Sequence, residues 1–134
     1  MFDRLRDALS RTNRHPASAD ELDAALSVVV LAMFADRRLA EAEAEEVERW
    51  IAEHEGDDEA RSLAQRVPTV MAGVRRALDQ DPGGEVLLAE ADGRITHTEL
   101  RAELPEICRA VIGADRTIAP EETQLLERIT QRFS

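Results

Sequence analysis

The sequence predicts an all-α fold, a single-domain bundle of seven to eight short helices, from three observations. Ala, Glu, Arg and Leu, all good helix formers, dominate the composition. Aromatic residues are 3% of the chain (Phe2, Phe34, Trp50 and Phe133, with no Tyr), too few for a protein built on strands. Apolar residues recur at three- and four-residue spacing in segment after segment, and no period-2 run of any length occurs. At 134 residues the chain is one domain's worth, residues 1–134, able to bury roughly 68% of its unfolded surface around one core. A cleft between two domains is not expected.

The elements follow in order. Phe2, Leu5, Ala8 and Leu9 mark a short amphipathic helix over 2–12, and Asn13 to Ala17, with Pro16, is a connector. Ser18-Ala19-Asp20-Glu21 is a capping box that starts the next helix, whose stripe is Leu22, Leu26, Val29, Val30 and Met33. After a break at 36–39, a third helix runs from about Ala40 to Glu55 with Val47, Trp50, Ile51 and His54 on one face, and Gly56 stops it. Asp57 or Asp58 caps a fourth to about Arg66, and Pro68 restarts or kinks it before the Val70, Val74 and Leu78 stripe ends near Gln80. Asp81-Pro82-Gly83-Gly84 is the clearest turn. A helix follows from Glu85, ending either at Ala91 or beyond Ile95. The next ends near Ala114 with Leu100, Leu104, Ile107, Cys108 and Val111 inward, and Pro105 bends it or begins a new one. Pro120, a good first helical residue, opens the last helix, to Phe133.

Net charge is −11 and the pI about 4.7. Clustered basic residues, which nucleic-acid binding and docking on anionic lipid require, are missing. The acid is concentrated: residues 20–60 carry fourteen Asp and Glu against three Arg. All seventeen basic residues are Arg, which removes a Schiff-base or phosphate-loop lysine. Cys108, the single cysteine, excludes an internal disulfide, fits a reducing cytoplasm, and lies in an apolar stripe as buried filler. Charge follows Met1-Phe2 directly, so no secretory leader is expected. The longest apolar run, Val28–Ala35, is too short for the roughly 20 residues of a membrane span.

One pattern recurs: Ala-Asp, two residues, Leu or Ile, three residues, Glu. It occurs as Ala35-Asp36…Leu39…Glu43 and as Ala114-Asp115…Ile118…Glu122, with a third match at Ala91-Asp92-Gly93…Ile95…Glu99. An apolar helix precedes each outer copy and an amphipathic helix follows, so the chain uses helix, tight turn, helix twice as a pseudo-repeated pair of hairpins. Helical spacing puts Asp36, Glu43, Asp115 and Glu122 on the core side of their helices. Glu99 instead aligns with Glu103 and Glu106, off the apolar stripe, and Asp92-Gly93 can sit inside a helix. A carboxylate facing a core must be hydrogen-bonded, paired, protonated or metal-bound. Helix capping explains these acids in one reading, completely at Thr96-His97-Thr98-Glu99, where Thr96 supplies the second half of the box. The other reading is an oxygen-rich site for Ca²⁺, Mg²⁺ or Mn²⁺ on Asp36, Glu43, Asp115 and Glu122. The middle copy, Asp92 to Glu99, is a degenerate motif. As an EF-hand loop it would begin at Leu88, which cannot ligate.

These residues resemble the tellurite-resistance protein B (TerB) family and its broader superfamily, over roughly Leu22 to Phe133. The family's motif is A-D-G-x-[IL]-x-x-x-E, and Arg37 and Arg116 stand here where it has glycine. The resemblance implies an all-helical domain of repeated helix-turn-helix halves, working in the bacterial cytoplasm as a partner or scaffold near membrane proteins. It links that domain to tellurite and chemical-stress resistance, phage inhibition and colicin resistance, with an acidic cluster suggested to bind metal.

The function expected is therefore a non-enzymatic interaction or scaffold module in a stress response, with Glu41, Glu45, Glu46 and Glu48 in its recognition face. The alternative is the divalent-cation site. Catalysis is not expected: His15, His54 and His97 form no recognisable spacing with Cys108 or the acids, the serines lack a nucleophile elbow, and no glycine-rich phosphate loop exists. Protein partners are expected, nucleic acid and membrane insertion are not, and an apolar helix face leaves a homodimer open.

Overall fold

The computed structural model describes residues 2–35, 45–46, 49, 53, 58–112 and 120–133. These form six helices: α1 (Phe2–Asn13), α2 (Ala19–Ala35), α3 (Asp58–Gln80), α4 (Glu85–Arg94), α5 (Thr98–Ile112) and α6 (Pro120–Phe133). No strand occurs among the described residues. Glu45, Glu46, Arg49 and Glu53 are also helical. The rest of the expected 40–55 helix, and the expected turns at Asp36 and Asp115, lie outside the described residues.

The capping box at Ser18 is formed on both sides. Glu21 N–H donates to Ser18 Oγ at 3.2 Å, and Ser18 N–H donates to a Glu21 carboxylate oxygen at 3.1 Å. From there α2 becomes the centre of the bundle. The expected stripe of Leu22, Leu26, Val29, Val30 and Met33 is buried, but so are Ala24, Ala25, Val28, Leu31 and Ala32. From Ala24 to Met33 only Ser27 is not buried, and a segment this apolar is stable only when packed on nearly all sides; α2 packs against each of the other five helices, with Asp20, Asp23 and Ser27 along its one polar edge. Each of its fully buried valines and leucines contributes about 1.5–3 kcal/mol relative to exposure.

Two prolines expected to kink or restart helices lie inside continuous ones, which lowers the number of separate helices. In α3 the buried face runs Leu63, Val67, Val70, Met71, Val74 without a change of register across Pro68. Pro68 itself is exposed, where water can take over the hydrogen bond its missing N–H forfeits. In α5, Pro105 is buried beside Leu104, and Leu100, Leu104, Ile107, Cys108, Val111 and Ile112 form one inward face. Continuous burial on either side of each proline offsets the roughly 3 kcal/mol that it costs within a helix.

The turn at 81–84 depends on glycine. Gly84 has φ 71°, and a Cβ there would lie 2.9 Å from Leu31 Cδ1, so α4 enters close against the central helix. Asp81 closes the turn: its carbonyl accepts from Gly84 N–H at 3.0 Å and its carboxylate from Val86 N–H at 2.9 Å. No helix among the described residues is long and apolar enough to cross a membrane.

Candidate functional site

Of the four carboxylates assigned to the outer motifs, only Glu122 falls among the described residues. It lies in the first turn of α6, and with Leu125, Ile129 and Phe133 it is buried, only 5% exposed, as its spacing predicts. Asp36, Glu43 and Asp115 lie outside the described residues. Of the acidic recognition face, Glu45 and Glu46 are helical and exposed, while Glu41 and Glu48 lie outside them. No group of three or more His, Cys, Asp or Glu among the described residues is placed to hold a metal ion.

The middle motif has a structural use. Asp92 and Gly93 sit inside α4, which ends at Arg94, and not in a turn between two helices. A Cβ on Gly93 would meet nothing within 4 Å, so neither geometry nor space demands glycine there. Asp92 pairs with Arg101 at 2.7 Å and with Arg132 at 3.5 Å. Glu99 is exposed.

The capping expected between Thr96 and Glu99 is a correction. α5 begins one residue later, and its cap is His97. His97 Nδ1 accepts the Leu100 N–H at 3.2 Å, and the His97 carbonyl accepts the Arg101 N–H at 3.0 Å. Thr96 turns instead to α2, donating its N–H (3.0 Å) and its hydroxyl to Glu21. The Glu21 carboxylate thus closes its own helix and clasps the α4–α5 joint. The two bonds from Thr96, then those from Ser18, hold its carboxyl down at about 2.

Because the Thr96 N–H goes to Glu21, the Asp92 carbonyl four residues back loses its helical partner. Arg101 supplies the replacement: one guanidinium nitrogen donates to Asp92 O (3.0 Å) and Ile95 O (2.7 Å), the other to Asp92 Oδ1 (2.7 Å) and Arg132 O (2.6 Å). Its face lies 5.0 Å from the centre of the Phe133 ring. One planar fork therefore closes the C-terminal ends of both α4 and α6. The short, weakly apolar α4 is fixed at its other end by Glu85, which pairs with Arg128 and, at 3.7 Å, with Arg132. The Arg128 bond keeps the Glu85 carboxyl below the usual carboxylate range.

A second polar group joins α1 to α5. Glu103 accepts from Arg11 at 2.6 and 3.0 Å and contacts His15 Nε2 at 2.5 Å. Burial acts against its charged form, but the bonds from Arg11 and His15 prevail and its carboxyl is lowered. The His15 ring meets the His97 ring edge to face, with centroids 5.9 Å apart. Sequence reasoning found no relation among these residues. The local signals were the four-residue step from Arg11 to His15 and the off-stripe position of Glu103, and neither names a partner 88 to 92 residues away.

Cys108 is fully buried, with Sγ 4.0 Å from the Val28 carbonyl, and burial pushes its thiol up to about 12. It is a packing residue, as expected. Beside the α1–α5 contact, Asp7, Ala8, Arg11 and Ala110 line a shallow depression of about 250 Å³. The chain matches no family model, no curated protein and no solved structure.

Proposed function

We propose that the chain is a non-enzymatic TerB-like module, a protein-interaction or scaffold domain in a bacterial stress response of the tellurite type, working in the cytoplasm. Its recognition face is the acidic segment from Glu41 to Glu59. The observation that supports this reading is that Glu45, Glu46, Glu53 and Asp58 are helical and exposed within the stretch holding most of the chain's excess acid. Outward carboxylates in that number fit a basic protein surface, whose approach they speed and orient. The inert state of Cys108 supports the non-enzymatic part.

The test is capture from a bacterial lysate by the wild-type chain and by a Glu45→Arg, Glu46→Arg, Glu53→Arg variant whose helix content matches it by circular dichroism. A partner held by the wild type, released by salt and lost on the variant supports the reading. Equal capture by both, or none by either, sinks it.

A second reading, divalent-cation binding through Asp36, Glu43, Asp115 and Glu122, is favoured by the burial of Glu122, a carboxylate taken out of water in the second motif. Its test is thermal unfolding of EDTA-treated protein with Ca²⁺, Mg²⁺ or Mn²⁺ added. A ligand at 100 times its Kd adds about 2.7 kcal/mol to a native state that alone binds it. A rise in midpoint that disappears in Asp36→Asn and Glu122→Gln supports the site. No rise with any ion leaves these acids as helix-end groups.

A further inference from the structure

We propose that the exposed side of α3 is a docking surface for the acidic segment of a second copy of this chain, and that two copies exchange these contacts reciprocally. The proposal rests on the reading of that segment as a recognition face and names what it meets. Charge complementarity carries it. Residues 41–59 hold ten Asp and Glu against one Arg, and residues 60–78 hold four Arg and no acid, so adjacent blocks of −9 and +4 stand in a chain of net charge −11. Asp79 closes the basic block.

The α3 helix turns that block outward. Arg61, Arg75 and Arg76 are exposed, while Arg66 is taken by Asp23 at 2.7 Å and the Arg75 guanidinium lies 5.6 Å from the centre of the Phe34 ring. Arg61 and Arg76 make no ion pair among the described residues. They lie on the same side of the helix, about 22 Å apart along its axis. Between them the surface is low and uncharged, with Gln65, Pro68, Thr69, Ala72 and Gly73 exposed. Glycine weakens an exposed helix relative to alanine, and a Cβ on Gly73 would meet nothing within 4 Å, so no contact inside the protomer calls for it. Over such small side chains a second helix can come closer than over long ones. The protomer also displays the matching charge. Glu45, Glu46 and Glu53 are helical and exposed, and no ion pair joins them to Arg61 or Arg76. A foreign acidic chain on α3 would leave these carboxylates uncovered. A second copy pairs both surfaces at once, and a two-fold arrangement closes the assembly at two chains.

Sedimentation velocity on the purified chain tests this. The wild type should form a dimer at about 100 µM in low salt and lose it in high salt, the weak class expected where charge rather than apolar area holds the contact. Arg61→Glu with Arg76→Glu in one variant, and Glu45→Arg with Glu46→Arg and Glu53→Arg in another, each set like charges against each other and should weaken self-association more than about tenfold. Mixed in equal amounts, the two variants are complementary at both contacts and should recover the dimer, a recovery that misfolded chains cannot give. A monomeric wild type, a dimer unchanged in either variant, or a mixture that stays monomeric overturns the proposal. So does a monomeric wild type that binds poly-glutamate through Arg61 and Arg76, because the occupant of α3 is then a foreign acidic chain. The two readings fail separately. A monomeric wild type whose capture from lysate still depends on Glu45, Glu46 and Glu53 overturns the dimer and leaves the acidic recognition face standing.

Discussion

Replacing Arg101 with Met leaves the aliphatic stem in place and withdraws every bond of the guanidinium. Three carbonyls and one carboxylate oxygen lose their donor at once: Asp92 O, Ile95 O, Arg132 O and Asp92 Oδ1. Charged hydrogen bonds contribute about 1.5–3 kcal/mol each when the partners are cut off from water. Here the Arg101 side chain is 25% exposed and Asp92 33%, so water replaces part of what is lost. The expected destabilisation is about 2–3 kcal/mol, well short of the simple total of four charged bonds. For a chain of 134 residues this lowers the midpoint of thermal unfolding by roughly 6–10 °C. Urea unfolding followed by circular dichroism gives the free energy directly. Arg101→Lys separates fork from charge. A single ammonium keeps the attraction to Asp92 but cannot reach the ends of both helices, so it should restore less than half of the loss. A loss under about 1 kcal/mol in Arg101→Met, or full recovery in Arg101→Lys, would refute the claim that planar bidentate geometry closes α4 and α6.

Three further outcomes follow from the structure. Gly84→Ala forces an L side chain to φ 71° and brings its Cβ to 2.9 Å from Leu31 Cδ1; it should cost about 1–3 kcal/mol in urea unfolding, and Leu31→Ala in the same chain should not recover it, because the backbone strain remains. Glu21, whose folded carboxyl is held at about 2, contributes stability that is present above the ordinary carboxylate range and is lost as pH falls from about 5 towards 2. Glu21→Gln should therefore flatten the acid limb of a stability–pH curve over that window and leave its slope near neutrality unchanged. Cys108, buried and pushed up to about 12, should react with a thiol reagent at pH 8 only at the rate of opening of the core. Rapid labelling of the native chain would contradict that burial.

The sequence was informative where residues act on neighbours within a turn or two. Ser18 and Glu21 stand three apart and formed the box expected of them. Asp81-Pro82-Gly83-Gly84 made the expected turn, and the spacing of Glu122 to Ile129 placed that acid inward. Thr96 and Glu99 have the same spacing as Ser18 and Glu21, yet no box formed there. Glu21 offered Thr96 two bonds from across the bundle, and His97 took the cap. Of the candidate residues, Asp92 is explained by Arg101 and Arg132, a relation invisible to a motif search because Arg101 lies on another helix.

Helix content, the capped start of α2, the glycine turn and the inward faces of α3, α5 and α6 were determined by the sequence itself, because hydrogen bonds and side-chain contacts at three- and four-residue spacing need no distant partner. Tertiary structure alone decided that α2 lies at the centre of the bundle, that helices continue through Pro68 and Pro105, and that Arg101, Thr96 and Glu103 find partners on other helices. The physical reason is the same in each case. Burial and charge pairing depend on which surfaces meet, and helices whose paired residues lie as far as 31 residues apart, as for Arg101, or 75 to 92, as for Thr96 and Glu103, meet only after the bundle has closed around α2.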